Sequence, residues 1–166
     1  MNEAVAPGPP PLRSLGLVLH RDGRFFHEGA PVTNARLRAA FDRGVRYLPA
    51  EGKYVVTLGH FRGQLDVEEV GFFVRSVDLE AGLVTLSDHT TDRLDPASLR
   101  TSALDPDVLL CTVKRTLTPW GVPARFERSA QAELLAAVEA SEAGFTVRIA
   151  GRREPLPPAL YESFDR

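Results

Sequence analysis

Cys111 is the only cysteine in this chain of 166 residues. Without a second thiol it forms no internal disulfide, and a reducing compartment is the simpler setting. A basic excess is missing too. Lys and Arg number 20 against 22 Asp and Glu, a formal charge of -2, whereas general nucleic-acid binders carry a strong positive surplus. No apolar run approaches the ~18 residues that cross a bilayer, and the first residues lack the basic cluster and apolar stretch of a secretory leader. These absences predict a cytoplasmic protein with no membrane segment. Signatures of chemistry are absent as well: GxSxG, SxxK, the P-loop and GxGxxG do not occur, which removes motif support for hydrolase, nucleotide or dinucleotide chemistry. His20, His27, His60 and His89 show no ligand spacing, so neither a metal nor another cofactor is expected.

What is present is an ordinary globular composition, 43% hydrophobic and 25% charged, in a chain long enough to bury a core. Charge is uneven. Residues 61–107 hold four basic against ten acidic side chains, while 1–60 hold eight against five and 108–166 eight against seven. An acidic middle reads first as solvated loops and second as a docking surface for a basic partner.

The most strand-like stretch is Gln64 to Asp88, where FFVRSVDL and LVTLSD flank Glu80-Ala81-Gly82. Aromatic and β-branched residues in both runs predict a hairpin at the centre of a sheet. Before it, residues 1–14 are proline-rich and read as a tail. LGLVLH and RFFH flank Asp22-Gly23, the short hairpin signal, which as a two-residue loop would set His20 opposite Phe25 and Val18 opposite His27. Thr33 or Asn34 should cap a helix over ARLRAAFDRGVRYL, with Leu37, Phe41 and Val45 as its buried stripe and Arg36, Arg38, Arg43 and Arg46 outside it. KYVVTLG, VLLCTVKR, ARFER and FTVRIAG read as strands. Ser129 should cap a helix over AQAELLAAVEAS that stops at Gly144, and 158–166 reads as a second tail. The order β-β-α-β then occurs twice. The expected class is α+β, two β-β-α-β halves, a candidate duplication, around a central antiparallel sheet, with halves at 15–70 and 71–157.

At FFHEGAPV, KYVVTLG and LDVEEVGFFV the chain resembles a bacterial family without assigned activity, domain of unknown function 1285. Phe26, Gly29 and Pro31 match its aromatic-x-x-Gly-x-Pro element, and Tyr54 its Tyr-led strand. Val67-Glu68-Glu69-Val70-Gly71-Phe72 matches its Val-Glu-Asp-x-Pro-Phe motif, with Glu for Asp and Gly for Pro. PARFERSAQAELL is similar to its C-terminal strand and helix. The resemblance implies a duplicated α+β fold whose second half is superficially like pleckstrin-homology domains. It further implies a binding cleft between the halves and a signalling role, and carries no catalytic residues.

The first reading is a non-enzymatic binding or regulatory module, resting on the polar residues of the family-like motifs and on the cleft that the resemblance implies. Its candidate cleft is lined by His27, Glu28, Tyr54, Glu68, Glu69, Arg75 and Arg125, for a small ligand or a protein partner, with a homo-oligomer left open. The alternative is an enzyme with Glu68 or Glu69 as general base, and a third reading is nucleic-acid binding by the four arginines. If Glu68 and Glu69 lie on a strand, they face opposite ways. The inward one then needs a donor, Arg75 or Arg125, since an unpaired buried carboxylate is costly. Cys111, in an apolar run, reads as a buried inert thiol, and Trp120 as a partner anchor or a core lid.

Overall fold

The computed structural model of the chain describes residues 12–161. The first part is a pair of antiparallel meanders. β1 (Arg13–Leu19), β2 (Phe25–His27) and β3 (Ala30–Pro31) make one. After helix α1 (Ala35–Gly44), β4 (Val45–Leu48), β5 (Lys53–Leu58) and β6 (Phe61–Val67) make the other. β1 runs parallel to β6, which joins them into a six-stranded sheet of order β3-β2-β1-β6-β5-β4. Leu17 and Leu19 point inward from β1 and are buried, as the strand period requires.

Two local expectations change here. The β1–β2 turn takes three residues, because the Asp22 carboxylate accepts the Arg24 N–H at 3.0 Å and Arg24 Nε at 2.7 Å, with Gly23 at φ +90°, a turn that asparagine and aspartate favour. The register therefore moves by one, to Leu19 opposite Phe25 and Val18 opposite Phe26. His20 instead stacks on Phe26, centroids 4.0 Å apart. In α1, Asn34 is the cap, its Oδ1 accepting the Leu37 N–H at 3.0 Å. The helix stops at Gly44, where an added Cβ would overlap the Thr57 carbonyl, so the chain turns straight into β4. Val45 is buried, but from a strand; Phe41 is half-buried and Leu37 is 41% exposed. The expected stripe is corrected accordingly. Nor do the four arginines share a helix, since Arg46 lies on β4 and bonds back to the Arg43 and Val45 carbonyls.

Residues 68–71 lead into the second part. β7 (Phe72–Asp78), β8 (Leu83–Leu86) and β9 (Thr91–Arg93) form one antiparallel meander; β10 (Arg100–Thr101), β11 (Leu109–Val113) and β12 (Val122–Phe126) form another. β7 pairs parallel with β12, giving β10-β11-β12-β7-β8-β9. The hairpin predicted from the sequence is thus β7–β8, with Gly82 at φ +73° closing it, and β7 stands in the middle of its sheet. Helix α2 (Arg128–Ala136) packs on β7, burying Ala130 and Leu134. It starts one residue before the predicted cap Ser129 and has no side-chain cap. The Glu127 N–H is still bonded to the Val74 carbonyl at 2.9 Å, and sheet pairing therefore sets where the helix begins. The helix ends well before Gly144. β13 (Val138–Ser141), β14 (Gly144–Ile149) and β15 (Arg152–Pro155) form a separate three-stranded sheet, with Gly144 at the β13–β14 turn.

The α+β class stands, but in place of one central antiparallel sheet there are two six-stranded sheets, each with one parallel pair, and a third sheet of three strands. The element order recurs in a longer frame than β-β-α-β: both six-stranded sheets are two meanders joined by their first and last strands in parallel. The counterpart of α1 is only the three-residue turn Pro96–Ser98. One hydrophobic core runs from Leu17 and Phe25 through Val74, Leu86 and Phe126 to Val147, Ile149 and Leu156. Neither expected tail is free throughout. Arg13 and Ser14 begin β1, and Tyr161 packs on Phe145 with centroids 4.9 Å apart. Residues 1–11 and 162–166 lie outside the described residues. No helix among the described residues is long and apolar enough to cross a membrane.

Candidate functional site

Glu68 and Glu69 lie on the bend between β6 and β7, not on a strand. They still diverge. Glu69 turns inward, where Arg125 Nη1 donates to its Oε1 at 2.9 Å and the Ser102 hydroxyl donates to Oε2. The Glu69 and Arg125 side chains are 10% and 11% exposed. Ser102, itself buried, accepts the N–H groups of Leu104 and Asp105 at 3.1 Å each. Glu68 turns outward and accepts the Arg21 N–H at 2.9 Å and its Nη1 at 3.1 Å, with His20 Nδ1 4.0 Å away. Asp105 links the two glutamate clusters, 2.7 Å from Arg125 and 3.2 Å from Arg21. Burial lowers the Arg125 pKa, but Asp105 and Glu69 outweigh it and hold the guanidinium above its ordinary value. The alternation of sign joins the β1–β2 turn, the bend and the second sheet. Of the two arginines expected to meet the inward glutamate, Arg125 does so.

Arg75 lies elsewhere. Its Nη2 is 2.6 Å from Asp42 of α1 and its Nε 3.4 Å from Glu127. Burial pushes the Asp42 carboxyl up despite that pair. Tyr54 packs behind the bend, its ring 6.0 Å from Phe72 and against Gly71, where a Cβ would overlap it. Burial pushes its phenol up to about 12. His27 and Glu28 sit at the far end of the β2 hairpin, Glu28 with φ +50°. The seven candidate residues therefore separate: Glu68, Glu69 and Arg125 come together, and the other four do not join them. His20, Arg21, Ser102 and Asp105 were missed. Asp105-Pro106 reads as a turn breaker in sequence, and no local signal tells that its carboxylate reaches two arginines.

A second cluster was also missed. Lys114 Nζ is 2.8 Å from Asp88 and donates to Thr90 Oγ1 at 3.2 Å, and lies 4.6 Å from the Phe72 ring centroid. Burial raises the Asp88 pKa, but bonds from Lys114 and Thr90 outweigh it and leave the carboxyl below its ordinary range. Cys111 is fully buried, its thiol pushed up to about 12, a state in which it is inert. Trp120 is 75% exposed, which removes the core-lid reading. No group of three metal-ligating side chains occurs among the described residues.

Two cavities lie away from the bend. A groove of about 580 Å³ in the first part is walled by Pro31, Val32, Leu37 and Phe41 on one side and Leu17, Leu58 and Phe61 on the other, with His27 among its few polar groups. A cleft of about 830 Å³ opens between the second and third sheets. Neither contains Glu68 or Glu69.

These sheets and their order define a DUF1285-like α+β fold. The chain is similar to a DUF1285 family protein from Silicibacter pomeroyi DSS-3, with 16% identity over 98% of this chain and 93% of the other and a TM-score of 0.63. A DUF1285 family protein from Shewanella baltica OS155 aligns with 72% of this chain and 90% of its own, at 11% identity and a TM-score of 0.48. No family model and no curated protein matches the sequence.

Proposed function

We propose that the chain is a non-catalytic binding module for a small, mostly apolar ligand carrying one polar group, and that the first-sheet groove takes it. The observation that carries this reading is the groove itself. Its volume, about 580 Å³, lies in the range of small-molecule sites, and an apolar lining with few polar groups is their usual character. It is built from the stretch Ala30 to Asn34, just after the Phe26–Gly29 element, and from α1. Of the seven candidate residues, His27 keeps a ligand-contacting role. Glu69 and Arg125 are paired with each other and have a structural part. The enzymatic alternative is disfavoured because a general base must reach substrate in a pocket, whereas both glutamates are engaged by arginines.

The test uses 1-hexanol as probe and backbone amide shifts as readout. Saturable shifts should cluster at Ala30–Asn34, Leu58 and Phe61. Leu37→Asp, at an exposed position, should abolish them while leaving the fold intact. Shifts scattered over the surface, or unchanged in Leu37→Asp, would remove the groove from consideration.

A further inference from the structure

The cleft between the second and third sheets is built differently from the groove. The β14–β15 hairpin turns at Ala150-Gly151 and is tied to the end of β7 by the Ala150 N–H, 2.9 Å from the Leu79 carbonyl. The Leu94 N–H bonds to the Gly82 carbonyl at 2.9 Å and fixes the opposite wall. Between them the floor is apolar, with Leu94, Val113 and Ile149 all buried. Above it stand Arg93, Arg115 and Arg152.

The charges are unequally engaged. Arg115 is held by Asp95 at 2.8 Å. The Asp92 carboxylate accepts the Arg93 N–H at 2.7 Å and the Lys114 N–H at 2.5 Å. Among the described residues no ion pair or hydrogen bond engages the guanidinium of Arg93 or Arg152, nor the Glu154 carboxylate. Arg152 and Glu154 are two apart on β15 and share a face, while Arg153 on the other face reaches Glu139 at 3.8 Å. Arg93 and Arg152 both line the cleft with unengaged guanidinium groups, the kind of group that recognises an oxyanion.

The geometry points to this cleft as a second binding site, one that takes an aliphatic carboxylate: the carboxylate between Arg93 and Arg152, the hydrocarbon on Leu94, Val113 and Ile149. Three arginines face Asp92, Asp95 and Glu154, so the cleft has no net positive charge to offer a phosphate dianion. It discriminates by apolar contact with Leu94, Val113 and Ile149, which an aliphatic monocarboxylate makes and inorganic phosphate does not. The site stands independently of the groove.

Titration of the full chain with sodium hexanoate, 1-hexanol and inorganic phosphate, followed by amide shifts, tests it. Hexanoate should shift Gly82, Leu94 and Ile149 saturably, with hexanol and phosphate weaker there by about tenfold or more. The double variant Arg93→Gln, Arg152→Gln, at exposed positions, should lose about tenfold in hexanoate affinity at an unchanged melting temperature. Leu37→Asp should leave these shifts in place. Hexanoate shifts confined to Ala30–Asn34, no shifts at all, or full affinity in the double variant would each overturn the assignment.

Discussion

Glu68 and Glu69 are neighbours in sequence with opposite energetic roles. Glu69 sits with Arg125 in a largely dry setting, and removing one member of such a pair strands the other. Glu69→Gln should therefore cost about 3 kcal/mol in urea unfolding. Glu68 is 35% exposed, its pair with Arg21 is screened, and Glu68→Gln should cost less than about 1 kcal/mol. Equal losses would show that the bend is solvated on both sides. The split was expected from the alternation of a strand, but it arises on a bend where that period does not apply; Arg125 was one of two candidates for the inward group. Its links to Asp105 and Ser102 were not legible, because those residues come from a turn that only the folded sheet brings near. Asp88 and Asp42 make opposite contributions to acid stability. The folded pKa of Asp88 lies below its ordinary value, so its stabilisation is complete above about pH 4 and is lost as pH falls through the folded pKa. The folded pKa of Asp42 lies above, so its contribution is complete below about pH 4 and is lost as pH rises through the folded pKa. Stability measured against pH should show the gap between parent and Asp88→Asn closing toward acid, and Asp42→Asn gaining on the parent toward neutrality.

Among the elements, the strongly apolar strands could be read, whereas helix ends could not, and β4 and β13 were read as the ends of helices. β7, β8, β11 and β14 follow from runs of β-branched and aromatic residues that suit a half-buried pleat. The 3.6-residue pattern of Leu37, Phe41 and Val45 was real in the sequence, yet α1 ends before its third member. That end is imposed by the Thr57 carbonyl lying against Gly44, a contact from another strand. Two outcomes follow in thermal or urea unfolding. Phe41→Ala should cost about 2 kcal/mol, at the low end for an aromatic because the ring is only half-buried on Phe25, and Leu37→Ala should fall within about 0.5 kcal/mol of the parent. A large loss at Leu37 would mean that something covers α1 in solution. Gly44→Ala should be more costly than either, about 3 kcal/mol, since a backbone carbonyl cannot step aside as a side chain does.

For the whole molecule, the bend at residues 68–71 is where the two six-stranded sheets meet, and Gly71 lets the Tyr54 ring close over it. Gly71→Ala should force ring and backbone apart and cost about 3 kcal/mol or more; an alanine variant with parental stability would mean that the ring has room to swing away. The sequence suggested a recurring β-β-α-β order, but the frame of the two six-stranded sheets was not visible, because pairing of a first strand with a last leaves no local mark. That pairing bears on how the protein is made. β1, the first strand of the described residues, is a central strand of its sheet and has no partner on one edge until β6 arrives. β7 waits in the same way for β12. Each six-stranded sheet is therefore completed only when its last strand arrives, β6 in the first and β12 in the second. Protease added to stalled nascent chains should find the early product more readily cleaved before β6 has emerged than after it.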